Sequence, residues 1–276
     1  MFKKIIIIIP ITIIVLLYAE IKIREMVFES DITNRIEEAL KNTSDMNGRD
    51  PDDNYIESLF DRFRFTEGQL HLNLIQRPRK ETSSGVAYWS FNNNKSVTAS
   101  AFGTDYLHHF VNHYLIGYAP FHVDNLWMPH FIISMRLTYQ LDAEQYGGLA
   151  EVWQNSKQAF VNTRGDCEDH AIALTDWLIE LGLDARVVLG SYKSEGHAWV
   201  IVVMESGVFL LESTDKQKNT NWHHYPLAKF EHNYHPKAMF NREYFWFNTG
   251  SVYTTSYQGN HWVKKSRFYR LNGEGK

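Results

Sequence analysis

The hydrophobic pattern of this chain opens with a nearly unbroken apolar run from Ile5 to Ala19, interrupted only by Pro10 and Thr12. Lys3 and Lys4 precede it, and the charged Glu20, Lys22 and Arg24 follow. A helix of that length reaches about 22 Å, short of the ~30 Å hydrocarbon core and close to the apolar part of a signal peptide. Leu17-Tyr18-Ala19 is a poor cleavage site, and Ile21 and Ile23 extend the apolar span, so residues 1–24 read as a signal anchor or a signal peptide. Lysines placed before the run keep the N-terminus in the cytoplasm and send the rest outside. The chain is therefore expected in the cell envelope, as a single-pass membrane protein or free in the periplasm if cleaved. Residues 25–54 are charged and polar and read as a juxtamembrane linker. Residues 55–276 read as one domain.

Within that domain the pattern predicts a helix near Ile56 to Phe63, a strand over Leu70 to Ile75 and a turn at Asn92-Asn93-Asn94. Trp127 to Leu141 reads as a helix or helix pair, and Glu151 to Val161 as a helix leading into the loop Asn162 to Asp166. After Cys167, Ala171, Leu174, Leu178 and Leu181 recur at helical spacing, Trp177 widens the stripe and Gly182 supplies a stop. Three short apolar or β-branched runs follow: Ala185 to Leu189, Ala198 to Met204 and Val208 to Leu211. The last two predict an antiparallel hairpin. A helix followed by strands of this kind makes the fold class α+β.

Composition narrows the function. The 276 residues carry 28 Lys plus Arg against 32 Asp plus Glu, a formal charge of −4 that supplies no basic field for nucleic acid. With 44% hydrophobic residues the chain can bury a full core. Cys167 is the one cysteine, so no intrachain disulfide and no multi-cysteine metal site exists.

A thiol reacts as thiolate, and a helix N-terminus favours the anion. The same helix start offers the Cys167 N–H to a developing oxyanion. Asp166, Glu168 and Asp169 crowd the cysteine and push the other way, so a positive partner is required. His197, at the start of a strand, is the candidate base, and an acid on the next strand should orient it. Two acids compete. A two-residue Glu205-Ser206 turn sets Met204 opposite Gly207 and Trp199 opposite Glu212, and then His197 and Glu212 share a face. An odd loop with a bulge at Gly207 shifts the register by one and selects Asp215.

Three blocks carry a family resemblance: Arg164-Gly165-Asp166-Cys167-Glu168-Asp169-His170-Ala171, Gly196-His197-Ala198-Trp199-Val200 and Leu210-Leu211-Glu212-Ser213-Thr214. Over about residues 150–216 the chain resembles the bacterial transglutaminase-like superfamily. The resemblance implies a papain-like core, with the nucleophile at a helix N-terminus packed on an antiparallel sheet, and a Cys167–His197–acid triad. Most relatives carry aspartate where this chain has Glu212. It further implies a peptidase or amidase working through a thioester acyl-enzyme on a peptide or protein substrate, or else a non-catalytic binding or assembly module of the same fold. No cofactor is required by that chemistry, although similar periplasmic peptidases bind calcium through acids matching Asp166, Glu168 and Asp169.

Other features read more plainly. His108, His109, His223 and His224 show no ligand spacing, and Asp176 and Glu180 read as a solvated helix face. Trp153 reads as packing, with a role at the cleft wall as the alternative.

Overall fold

The computed structural model describes residues 22–23, 54–61, 63–75, 85–216 and 225–270. The apolar run Ile5 to Ala19 and nearly all of the 25–54 linker lie outside the described residues, as do His223 and His224. No helix among the described residues is long and apolar enough to cross a membrane. The chain divides into units spanning residues 1–46 and 47–276, and the second contains the sheets and the site.

That second unit starts with strands β1 (Tyr55–Ser58) and β2 (Arg64–Thr66) and helix α1 (Glu67–Ile75). Strands β3 (Ala87–Phe91), β4 (Ser96–Phe102) and β5 (His108–Phe110) make a separate three-stranded sheet. Next come α2 (Met128–Arg136), β6 (Thr138–Tyr139), α3 (Asp142–Gln145), α4 (Ser156–Asn162), β7 (Arg164–Gly165) and α5 (Cys167–Glu180). The chain continues through β8 (Asp184–Tyr192), β9 (Glu195–Met204), β10 (Gly207–Leu211), β11 (Tyr234–Phe240), β12 (Tyr244–Asn248) and β13 (Trp262–Tyr269). The main sheet has eight strands in the order β10-β9-β8-β11-β12-β13-β1-β2, every neighbouring pair antiparallel.

Two local expectations fail near the start of the unit. The helix expected at Ile56 to Phe63 is instead β1 and the turn after it, because Ile56 pairs with Phe268 and Phe65 across the sheet. The strand expected at Leu70 to Ile75 is α1. Leu70, Leu72 and Leu74 alternate, but Thr66 and Gln69 exchange backbone-to-side-chain hydrogen bonds of 3.0 and 3.1 Å, a capping box that starts a helix. The Asn92-Asn93-Asn94 turn is present, with all three residues in the left-handed region. The expected helix at Glu151 to Val161 begins only at Ser156, where Asn155 and Gln158 form a second capping box.

Strands β8, β9 and β10 match the three expected runs. Val188, Trp199, Ile201 and Leu210 point into a core shared with Met239 and Trp246. The alternate residues Val187, Val200 and Val202 are equally buried, on the side packed by α5. Helix α5 also packs on α2 and α4, so it is enclosed rather than half-solvated.

Enclosure overturns the reading of Asp176 as a solvated residue. It is fully buried, takes a 2.5 Å ion pair from Arg242 Nε and accepts from the backbone N–H groups of Gly117 and Tyr118 and from Ser156 Oγ. Arg242 also pairs with Glu180, which stays exposed at the rim. Burial outweighs the pull of Arg242 and holds the Asp176 carboxyl above its ordinary range. Breaking such a pair from one side leaves a buried charge without its counter-ion. Arg242→Met should therefore cost about 3 kcal/mol in urea unfolding, and adding Asp176→Asn should restore part of it. A loss under about 0.5 kcal/mol would put Asp176 in the class of weakly coupled surface charges.

Candidate active site

Cys167 is the first residue of α5, after an extended Asp166. Thr163, in the left-handed region, ends α4, and β7 then pairs in parallel with β6 before the chain enters α5. Gly165 is required there by close approach: a Cβ would lie 2.3 Å from Asp169 Oδ2. The sulfur is half-buried, 3.4 Å from Glu168 Oε2, and the backbone N–H of Ala198 points at it.

The neighbour of Ala198 is His197, facing Gly190 across β8 and β9. A Cβ on Gly190 would meet the Trp199 ring at 2.7 Å and the carbonyl oxygen of His235 at 2.2 Å, so only glycine fits. The β9–β10 hairpin has the two-residue Glu205-Ser206 turn: Gly207 pairs with Met204 and Leu211 with Val200. One further step sets Glu212 opposite Trp199, on the face of His197. The His197 Nε2–H donates to Glu212 Oε2 at 2.8 Å. Asp215 lines the same cavity, but Glu212 is the acid bonded to the ring.

Glu212 is itself held on all sides. Tyr234 donates its hydroxyl to Oε2 at 2.9 Å, and Thr214 donates its N–H and hydroxyl to Oε1 at 3.1 and 2.7 Å. Burial disfavours the carboxylate, yet the hydrogen bond and charge of His197, with Thr214, lower its pKa. The backbone is pinned too: His130 donates Nε2–H to the Glu212 carbonyl and accepts from Tyr225, and His170 of α5 donates to the Ser213 carbonyl at 3.2 Å. Sequence reasoning assigned no such role to Tyr234, His130, Tyr225 or His170, although His170 stands in the cysteine block. A cavity of about 410 Å³ opens beside the pair, lined by Tyr192, Tyr225, Tyr234, Asp215 and Glu231.

Trp153 is wholly buried between Tyr114 and Phe240 and donates its indole N–H to Glu151. That is packing. The acids flanking Cys167 turn inward rather than to solvent. Asp142, Asp166, Glu168 and Asp169 each place a carboxylate oxygen within 4.8 Å of the others, all buried. Burial and then Asp166 push Asp142 up to about 7, and burial raises Glu168 and Asp169 well above the usual carboxylate range. The same forces act on sulfur: burial, then Asp166, push the Cys167 thiol up to about 12, against the Ala198 N–H. The helix N-terminus alone does not deliver the depressed thiol that the sequence suggests, because sulfur is desolvated beside acids.

Residues 151–266, which include Cys167, His197 and Glu212, match the family model described as the CEP76 peptidase-like domain. The chain is 38% identical over 66 residues to centrosomal protein of 76 kDa from Mus musculus, a stretch that is 23% of this chain and 10% of that protein. It thus spans about a tenth of the length of that curated relative. Among solved structures it is similar to Legionella pneumophila LapG at 18% identity, covering 51% of this chain and 76% of LapG with a TM-score of 0.37. Calcium-bound LapG from the same organism overlaps 55% of this chain and 81% of its own, also at 18% identity and a TM-score of 0.37.

A carboxylate whose pKa is lowered by folding stabilises the protein above its unfolded value of 4.5, and that contribution is lost as pH falls through the lower folded value. Glu212→Gln should therefore cost about 1 kcal/mol at pH 6, and the gap to wild type should narrow as pH falls from 4.5 through the lower folded value. Urea midpoints across that range measure it; a gap that is constant with pH would mean Glu212 acts by shape and not by charge.

Proposed function

We infer that this chain is a cysteine peptidase or amidase of transglutaminase-like, papain-type design, acting on a peptide or protein substrate. The observation that supports this most is the 2.8 Å hydrogen bond from His197 to Glu212, one residue away from the Ala198 N–H that meets the Cys167 sulfur. In this reading Glu212 takes Nε2–H and leaves Nδ1 of His197 to accept the thiol proton. The Cys167 thiolate attacks the substrate carbonyl carbon, and the oxyanion is met by backbone N–H groups at the start of α5. Collapse of the tetrahedral species breaks the C–N bond, and the imidazolium protonates the departing amine. Water, deprotonated by His197, then cleaves the thioester and restores the thiol. Tyr234 and Thr214 are positioning residues for Glu212. The lysines before the apolar run Ile5 to Ala19 support an exported, membrane-tethered form, with the domain outside the cytoplasm.

One observation favours a second reading, a non-catalytic binding module: the Cys167 sulfur lies 3.4 Å from Glu168 Oε2 among buried acids, which oppose the thiolate. Acid-quenched mass spectrometry of the full chain with peptide amide and peptide thioester substrates separates the two. An acyl adduct on Cys167 is expected, with turnover abolished by Cys167→Ala and lowered roughly 10²- to 10⁴-fold by His197→Ala. Absence of any adduct, together with iodoacetamide labelling of Cys167 that is indifferent to His197→Ala, would favour the binding module.

The acidic cluster beside the nucleophile fits calcium. Asp142 Oδ1, Asp166 Oδ1 and Glu168 Oε1 are buried with no hydrogen-bond partner, and several hard oxygen donors converging on one point suit that ion. Asp142, Asp166, Glu168 and Asp169 would hold it, and when bound it supplies positive charge that offsets the acids around sulfur. At 100 times its dissociation constant calcium would add about 2.7 kcal/mol of stability, raising the melting temperature by roughly 5–10 °C. Calorimetry with calcium or EGTA checks this; the shift should vanish in Glu168→Gln, and an equal shift in that variant would place calcium elsewhere.

A further inference from the structure

A second cluster of ligating side chains lies apart from the residues around Cys167, and the sequence spacing did not expose it. Glu67, the first residue of α1, is fully buried. His109 on β5 and His113 on the following 3₁₀ turn (Val111–Tyr114) are four residues apart and turn their rings toward one another, with centroids 4.2 Å apart. Both bring Nδ1 to the same carboxylate: His109 lies 3.3 Å from Glu67 Oε2, and His113 lies 3.0 Å from Glu67 Oε1. The three ligand atoms fall within 4.8 Å of one another. Atoms bound at about 2.0–2.1 Å to a tetrahedral ion stand roughly 3.3–3.4 Å apart, which is close to the His109 Nδ1–Glu67 Oε2 distance, while His113 Nδ1 meets the other oxygen of the same carboxylate.

The surroundings are those of a supported metal site. Asp105 Oδ2 lies 2.8 Å from His109 Nε2 and fixes the ring with Nδ1 turned toward Glu67. The backbone N–H of Phe110 holds Glu67 Oε1 at 3.1 Å. Asn54 completes the ring: its side-chain amide is 3.0 Å from Glu67 Oε2 and 3.2 Å from His113 Nδ1. As the amide stands, His113 Nδ1 faces a donor in Asn54 and an acceptor in Glu67, and one ring nitrogen cannot satisfy both. A half-turn of the amide presents the Asn54 oxygen as a fourth ligand beside two imidazoles and a carboxylate. Imidazole nitrogen with carboxylate and amide oxygen is a donor set for zinc rather than for calcium, and no thiolate is involved.

We propose that Glu67, His109, His113 and Asn54 bind a zinc ion, oriented by Asp105, that ties the start of α1 to β5 and the 3₁₀ turn. The rival occupant is a proton shared between the histidines and Glu67. The full chain, stripped with chelator, is titrated with Zn²⁺ by calorimetry and with Co²⁺ by visible absorption. One Zn²⁺ per chain and tetrahedral Co²⁺ bands without thiolate charge transfer are expected. Affinity should drop at least about 10-fold in His113→Gln, and by a similar factor in Asp105→Asn, whose half-exposed side chain is the variant less dependent on folding. Glu168→Gln and Cys167→Ala should leave zinc uptake unchanged. No saturable uptake by wild type, equal uptake by His113→Gln and Asp105→Asn, or a thiolate band that Cys167→Ala removes, would each overturn the proposal.

Discussion

The enclosure of helix α5 from Glu168 to Leu178 is the constraint on which the rest of the molecule depends. A helix packed by two strands on one side and by α2 and α4 on others cannot leave its polar side chains to water. Most of its buried acids and its histidine turn to partners inside the protein. Asp176 finds Arg242, Ser156 and two backbone N–H groups. Asp169 accepts from the Gln154 backbone N–H and side-chain amide. His170 reaches across to the Ser213 carbonyl and so ties α5 to the segment that carries Glu212. Asp166 and Glu168 each retain one buried oxygen with no partner, beside the sulfur.

The same enclosure sets the chemistry of sulfur. Desolvation and neighbouring carboxylates both oppose the thiolate, and one backbone N–H and a helix terminus are too little to reverse them. Only positive charge near Cys167 would oppose these two effects. The His197–Glu212 pair shows the opposite balance. There burial is outweighed, because Glu212 is surrounded by donors from Tyr234, Thr214 and His197.

Much of this was legible along the chain. The helix from Cys167, its stop at Gly182 and the three strands after it follow from apolar period and turn residues. The choice between Glu212 and Asp215 reduced to the length of one turn, which the sequence left open and the pairing of Gly207 with Met204 sets. The α1 helix was misread since its leucines alternate, although Thr66 and Gln69 already spelled a capping box. The solvated reading of Asp176 came from i, i+4 spacing to Glu180, which says nothing about what packs on the other side.

From Cys167 to Leu211 the sequence by itself determined the order of elements, with one thiol at a helix start and one histidine near a strand start, and it reduced the choice of acid to the length of one turn. Those are local properties, governed by backbone geometry within a few residues. Tertiary structure alone decided that Asp142 joins Asp166, Glu168 and Asp169, that Arg242 reaches Asp176, that Tyr234 braces Glu212 and Tyr225 braces His130, and that Glu67 meets His109 and His113. These pairings join residues up to tens of positions apart, and no periodicity reports them. Only the folding of the chain into one desolvated interior compels such groups to meet.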